Sequence, residues 1–222
     1  MRIATLLKNE TNPQVILNTA APLIVKPSVV GIAFGFIALA VPMFEEMFKP
    51  LGVWLFARKI ETPAQGFALG LLSGAAYAMF ESLGASGQGN MGWALIVSIR
   101  AGTSLLHVIT SGLMGWAIVA AFRDRRYGRL LGTYVVVILI HGIWNGSAIG
   151  AGFAVVSDFV QNTSWSISVI PAALCGLTVL TVGMVALLIA LNRRVRKLSA
   201  IEVTDLNINP DIPASKNDEG VQ

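Results

Sequence analysis

Long apolar stretches alternate with short polar ones along the chain, and this pattern predicts the architecture. A helix needs about 20 apolar residues to cross a hydrocarbon core about 30 Å thick. Five stretches reach that length, at residues 28–48, 65–84, 92–121, 130–155 and 167–192. We expect the first to continue through Leu51–Phe56 as one kinked helix, because Pro50 has no backbone N–H donor. The sequence therefore predicts an all-α, polytopic transmembrane helical bundle of about five spans.

The two ends of the chain are more polar than the spans, and they define the predicted domain organisation. Residues 1–27 include Glu10 and Pro13 and are too polar to cross a membrane, so we expect an interfacial lead-in. This segment also lacks the order of basic start, apolar run and small-residue cleavage site that marks a signal peptide. Residues 28–195 form one transmembrane domain, and residues 196–222 are predicted to be a flexible cytoplasmic tail.

Composition supports a membrane protein and excludes several other classes. Of the 222 residues, 55% are hydrophobic and 13% are charged, whereas soluble domains carry about 25% charged residues. So few charges exclude a disordered or nucleic-acid-coating protein, although the net charge is +4. The single cysteine, Cys175, excludes a disulfide framework and a multi-cysteine metal site.

Basic residues are concentrated in three of the predicted loops, and this indicates the orientation. The loops at residues 84–91 and 157–166 contain no Lys or Arg. Positively charged loops stay in the cytoplasm, so five spans place the N-terminus outside and the C-terminus inside. Among the basic residues, Arg2, Lys8 and Lys26 near the N-terminus do not fit this alternation. We expect a multi-pass protein of the plasma membrane. The basic residues follow the first, third and fifth spans: Arg58 and Lys59; Arg123, Arg125, Arg126 and Arg129; Arg193, Arg194, Arg196 and Lys197.

Several ionisable side chains lie inside the predicted spans, where lipid makes them costly. A charged side chain at the bilayer centre costs about 2.5–3.5 kcal/mol on insertion scales, so such residues face the bundle interior and usually mark a functional site. Both histidines of the chain are among them, and we expect one shared polar cavity with Glu81 and Arg100 paired at its outer side. The residues are Glu45 and Glu46 in the first span, Glu81 in the second, Arg100 and His107 in the third, and His141 in the fourth.

The spacing of these residues predicts which of them act together. His141 and Asn145 are four residues apart and share one helix face. Glu45 and Glu46 point about 100° apart on a helix, so we expect one to carry chemistry and the other to support it. Lys49 follows Glu45 by four residues, which is the favourable order for an intrahelical ion pair. Small residues around these positions permit close approach of the helices.

These residue types are suited to water activation, with or without a metal. A carboxylate in a cavity of low dielectric constant is a good proton acceptor for water, and a histidine opposite it can orient that water or protonate a leaving amine. The same residues are equally suited to a Zn²⁺ site with an open position, and no HExxH motif decides between the two. Buried Glu and His also form proton relays. A proton-coupled transporter or channel subunit and a non-catalytic membrane scaffold are therefore the alternatives.

Four short motifs follow one another between Pro42 and Asn145, each in its own predicted span. Together they resemble the PrsW family of intramembrane proteases. They are more distantly similar to the CAAX prenyl protease and bacteriocin-processing group. The motifs are Glu45-Glu46-x-x-Lys49, Phe80-Glu81, Arg100 followed by His107, and His141-x-x-x-Asn145.

The resemblance implies an intramembrane endopeptidase that hydrolyses a membrane-associated protein or peptide with a glutamate- and histidine-activated water. Residues 28–195 would then be the catalytic domain, acting in the lipid bilayer with no nucleic-acid partner. If a divalent metal such as Zn²⁺ is present, the expected ligands are Glu81, His107 and His141. Asn145 is expected to donate a hydrogen bond to the oxyanion. The resemblance thus designates as catalytic Glu45, Glu46, Glu81, His107, His141 and Asn145.

Overall fold

The structure, a computed structural model, describes residues 11–86 and 93–208, and these residues are helical apart from short connections. Within these two ranges there is no β-strand, so the predicted all-α class is confirmed. The helices are α1 (Pro13–Ile24), α2 (Pro27–Ala33), a π-helix (Phe34–Ala40), α3 (Val41–Phe48), α4 (Leu51–Phe56), α5 (Pro63–Ser86), α6 (Trp93–Asp124), α7 (Tyr127–Gln161) and α8 (Trp165–Ile208).

Five of these segments are long and apolar enough to cross a membrane, as predicted. The most enclosed is the third, with 72% of its apolar window buried, whereas the first and last have only 6% buried. Helix α6 is therefore the centre of the packing. The five spans are Pro27–Phe56, Pro63–Gly84, Arg100–Asp124, Tyr127–Gln161 and Trp165–Arg193.

The first span is irregular at two places, and a proline lies at or just after each of them. The π-helix ends where the Val41 N–H donates to the Phe36 carbonyl, five residues back, just before Pro42. The helix then stops at Phe48, and α4 begins at Leu51. The predicted kink at Pro50 is thereby confirmed. These breaks divide the span into short rigid pieces, and α3 carries the two adjacent glutamates.

Helices α5 and α6 pack at very close range through glycines. Gly66, Gly70 and Gly74 recur every four residues on one face of α5, and a Cβ at any of them would overlap backbone atoms of α6. At Gly74 the overlapping atoms belong to His107 and Val108. This is the small-residue packing typical of membrane helices, and it brings α5 directly against the part of α6 that bears a histidine.

Two polar contacts fix the ends of the spans. Arg123 donates to the carbonyl oxygens of Ile60 at 2.8 Å and Arg58 at 3.3 Å, so the basic loops after the first and third spans lie at the same end of the bundle. This agrees with the alternation of charge in the loops. The side of the membrane on which they lie stays a prediction.

The C-terminal helix extends through the beginning of the predicted tail. Helix α8 continues to Ile208, and residues 209–222 lie outside the described residues. The chain divides into a first compact unit that ends at Met184 and a second that begins at Val185. Every side chain of the site described below belongs to the first unit, and the predicted domain boundaries stay predictions.

Candidate active site

Ionisable side chains from four helices meet in one buried cluster. Helix α3 contributes Glu45 and Glu46, α5 contributes Glu81, α6 contributes His107, and α7 contributes His141. The two imidazole rings lie edge to face with their centroids 5.3 Å apart. The expected convergence of these side chains is therefore present in the structure.

Glu46 is the most fully bonded carboxylate of the cluster. Its Oε1 accepts from Lys49 Nζ at 2.6 Å and from Thr110 Oγ1 at 3.1 Å, and it lies 2.7 Å from His141 Nδ1. The residue has no exposed surface. An ionised carboxylate only accepts hydrogen bonds, so His141 Nδ1 carries the hydrogen and the lone pair is on Nε2. Glu46 thereby sets both the tautomer and the orientation of His141.

Lys49 is a buried cation at the centre of the cluster. Its Nζ lies 2.6 Å from Glu46 Oε1, 2.9 Å from His107 Nδ1 and 3.9 Å from Glu45 Oε2. The sequence predicted the pair with Glu45, but the closer carboxylate is that of Glu46, three residues before Lys49. Because an ammonium group has only donors, His107 Nδ1 accepts and the ring hydrogen lies on Nε2. The Ser73 hydroxyl donates to the Lys49 carbonyl and holds this turn against α5.

Glu81 and Arg100 form the predicted ion pair, and they form it next to His107. Arg100 Nη2 lies 2.8 Å from Glu81 Oε2, and that oxygen lies 2.7 Å from His107 Nε2. Arg100 also donates to the Ser82 hydroxyl at 3.3 Å. The Glu81 side chain is 36% exposed, so this pair forms the more open edge of the cluster.

Glu45 is less tightly bonded than Glu46, although each has a buried Oε2 without an aligned hydrogen bond. Glu45 Oε2 lies 3.8 Å from His141 Nε2 and 3.9 Å from Lys49 Nζ. The Glu45 side chain is 20% exposed. Tyr77 packs edge to face on His107, with ring centroids 5.2 Å apart. Glu46 is thus the fully enclosed and more fully bonded glutamate, and Glu45 is the more accessible one.

Asn145 shares a helix face with His141, but its amide has a structural partner. Asn145 Nδ2 donates to the backbone carbonyl of Ile37 at 3.0 Å. The next residue back, Trp144, donates its indole N–H to the Thr103 hydroxyl at 3.2 Å. The predicted oxyanion role of Asn145 stays a prediction, and the observed bond gives this side chain a role in joining two helices.

The cluster fits a divalent cation in its donor atoms and its charge. One donor atom each from Glu45, His107 and His141 lies within 4.8 Å of the other two. One carboxylate and two imidazoles form a ligand set used by catalytic zinc. Glu45 Oε2 is buried without an aligned hydrogen bond, as expected of a metal-ligand atom, whereas His107 Nε2 lies 2.7 Å from Glu81 Oε2 and would exchange that contact for the metal. The predicted set that includes Glu81 in place of Glu45 stays a prediction.

Charge counting leads to the same conclusion. The cluster holds the three carboxylates of Glu45, Glu46 and Glu81 against the two cations Lys49 and Arg100. One negative charge is therefore uncompensated when both histidines are neutral. Burying an unpaired charge is costly, so the excess negative charge favours binding of a proton or a cation.

The sequence analysis did not identify Thr110 and Tyr77 as members of this cluster, although their spacing along the helices could have indicated both. Thr110 follows His107 by three residues, and Tyr77 precedes Glu81 by four. Each therefore lies on the same helix face as a predicted site residue. Neither side chain is charged, and for that reason neither stood out in a search for ionisable groups within the spans.

Comparison with known families agrees with the motifs and the geometry. A family model described as "PrsW family intramembrane metalloprotease" matches residues 11–191. No individual curated protein and no solved structure matches the chain. The match covers all four helices of the cluster and every residue of the four motifs. The chain belongs to the PrsW family of intramembrane metalloproteases, and it is a multi-pass membrane protease.

Proposed function

We propose that the protein is an endopeptidase that hydrolyses a membrane-associated protein or peptide at the site formed by Glu45, His107 and His141. The observation that supports this most directly is the buried Glu45 Oε2, which has no aligned partner and lies 3.8 Å from His141 Nε2. One potential ligand atom each from Glu45, His107 and His141 lies within 4.8 Å of the other two, close enough for a single water to contact all three.

Glu45 is the proposed proton acceptor. It takes a proton from the attacking water as the water oxygen bonds to the scissile carbonyl carbon. The C–N bond then breaks, and the proton passes to the leaving amine. Glu46 does not react in this proposal, because its Oε1 is engaged by Lys49, Thr110 and His141. It holds His141 so that Nε2 faces the reacting atoms.

Glu81 contacts the other imidazole at its Nε2, whereas Glu46 contacts His141 at Nδ1. Glu81 Oε2 lies 2.7 Å from His107 Nε2 and 2.8 Å from Arg100 Nη2. Such carboxylate–histidine contacts fix the ring orientation in many enzymes. We therefore assign Glu81 and Arg100 to positioning His107.

A divalent metal such as Zn²⁺ would be held by Glu45, His107 and His141. When bound there, it would activate water and polarise the scissile carbonyl. A metal bound at His107 Nε2 would displace the Glu81 contact there. Because imidazoles bind a metal only in their neutral form, binding competes with protons and becomes tighter as the pH rises.

The depth of the site supports a substrate that lies within the membrane. His141 lies about 21 Å along α7 from Tyr127 at 1.5 Å per residue, which is well inside a hydrocarbon core about 30 Å thick. A peptide bond reaches that depth only if its chain is inserted or anchored in the bilayer. We therefore propose a membrane-anchored substrate, with the protease in the plasma membrane and its C-terminus in the cytoplasm.

The test compares wild type with Glu45→Gln after purification and reconstitution into liposomes that contain membrane-anchored peptides. Removal of the proton acceptor should lower cleavage by about 10²-fold or more. Glu61→Gln is the matched control, because Glu61 is exposed in the loop between α4 and α5, and it should cleave at the wild-type rate. Cleavage by Glu45→Gln at the wild-type rate would exclude the mechanism.

A further inference from the structure

The carbonyl oxygen of Ile37 has neither of the backbone N–H donors that a regular helix would supply. In an α-helix the donor would be the N–H of Val41, and in a π-helix it would be that of Pro42. The Val41 N–H donates instead to the Phe36 carbonyl, and proline has no N–H. Inside a bilayer no water replaces the missing donor. This carbonyl therefore needs a donor from elsewhere in the protein.

Asn145 supplies that donor. Its Nδ2 lies 3.0 Å from the Ile37 oxygen. Helix α7 approaches closely enough because Gly142 has no side chain, and a Cβ there would overlap the carbonyl oxygen of Ala38. We propose that Asn145 is a positioning residue that replaces the N–H absent at Pro42 and fixes the π-helix against α7. This proposal rests on the proposed function for its effect on cleavage.

The bond acts on the site through two short connections. Pro42 precedes Glu45 by three residues, and His141 precedes Asn145 by four. The Asn145–Ile37 bond and the 2.7 Å contact between His141 and Glu46 therefore join the same two spans. Without the first bond, α3 is held to α7 by fewer contacts, among them the Tyr134 hydroxyl that donates to the Met43 carbonyl at 2.8 Å, and a small shift would carry its glutamates away from His141. A misplacement of about 1 Å at a reacting group costs on the order of 10²-fold in rate.

A double-mutant cycle between Asn145 and Pro42 tests the proposal. Asn145→Leu removes both amide donors at similar volume, and Pro42→Ala restores a backbone N–H that can reach the Ile37 carbonyl. With Pro42 present, Asn145→Leu should lower kcat by on the order of 10²-fold and Tm by about 2–4 °C. In the Pro42→Ala background both losses should fall to less than half, because the carbonyl has a donor again.

An amide that binds the oxyanion of the substrate would behave differently. Asn145→Leu would then lower kcat equally in both backgrounds and leave Tm unchanged, and this result would overturn the proposal. Ser147→Ala is the matched control on α7. The Ser147 hydroxyl donates to the Ile143 carbonyl of its own helix at 2.7 Å, and the regular backbone donor of that carbonyl remains after the substitution. The control should change neither kcat nor Tm.

The two readouts separate failure of this proposal from failure of the proposed function. If wild type cleaves no membrane-anchored peptide, the proposed function fails, and the Tm cycle alone decides the role of Asn145. If wild type cleaves peptides and the losses are equal in both backgrounds, only the positioning role fails. If Pro42→Ala is itself inactive, the Tm values of the four proteins still complete the cycle.

Discussion

Replacement of Lys49 by methionine tests whether this buried ammonium stabilises the cluster. Its side chain has no exposed surface, and its Nζ lies 2.6 Å from Glu46 Oε1 and 2.9 Å from His107 Nδ1. Methionine keeps most of the apolar stem and removes the charge and all three donors. Glu46 would then be a buried carboxyl group without its cation, and His107 would lose the donor that sets its tautomer.

The expected loss of stability follows from these distances. Two unit charges 2.6 Å apart attract by about 6 kcal/mol at an effective dielectric constant of about 20. Part of this attraction offsets desolvation, and removal of one partner of a buried pair costs about 3–5 kcal/mol. At about 2–4 °C per kcal/mol for a chain of this size, Tm should fall by about 6–20 °C.

The assay is thermal unfolding of the purified protein in detergent, carried out on a double-mutant cycle. Lys49→Met, Glu46→Gln and the double variant are compared with wild type. The double variant removes both charges, and the amide introduced by Glu46→Gln can still bond to Thr110. Its loss in the free energy of unfolding should be at least about 2 kcal/mol smaller than the sum of the two single losses.

Lys59→Met is the matched control, because this lysine lies exposed in the loop after α4. It should leave Tm within about 1 °C of wild type, since exposed charges contribute little to stability. If Lys49→Met unfolds at the wild-type temperature, or if the cycle is additive, the ammonium does not stabilise the cluster and the reasoning is wrong.

Three further results are expected. Gly70→Ala should lower both Tm and the rate of cleavage, because a Cβ there would overlap the backbone of α6. Gly84→Ala is the control and should change neither, since a Cβ at Gly84 has no atom within 4 Å. Equal effects of the two substitutions in the unfolding and cleavage assays would contradict the close packing. Arg100→Met should lower kcat/KM about tenfold by releasing Glu81 from one side, and the exposed Arg126→Met should match wild type in the same peptide assay. Chelation of the metal should abolish cleavage, and added Zn²⁺ should restore it. The apparent Kd for the metal should fall as the pH rises, because protons compete with the metal for its ligands. Full activity of protein that elemental analysis shows to be metal-free would exclude a metal-dependent mechanism.

Apolar length alone was sufficient to predict the fold class and the number of spans. Each span must satisfy its backbone internally and cross about 30 Å of hydrocarbon, so the constraint is local and can be read from sequence. The kink at Pro50 was predicted for the same reason, because a missing N–H is a local property. The π-helix at Phe34–Ala40 was not predicted, since the run before Pro42 is uniformly apolar and shows no period that distinguishes it from an α-helix.

The membership of the candidate site was also accessible from sequence. Charged and imidazole groups within lipid are costly wherever the helices point, so Glu45, Glu46, Glu81, His107 and His141 stood out before any packing was known. The pairing of Glu81 with Arg100 followed from their similar depths in adjacent spans. Uncharged members such as Tyr77 and Thr110 produce no comparable penalty, and only the packed helices reveal them.

Sequence by itself thus determined which side chains are buried in the membrane and roughly how deep they lie. Tertiary structure decided which atoms they contact. Lys49 bonds to Glu46, Glu45 Oε2 lies 3.8 Å from His141 Nε2, and Asn145 donates to the Ile37 carbonyl. Adjacent residues on a helix point about 100° apart, so the choice between Glu45 and Glu46 depends on the rotation of α3 about its axis. That rotation is set by contacts with α5, α6 and α7, which are distant in sequence and carry no local signal.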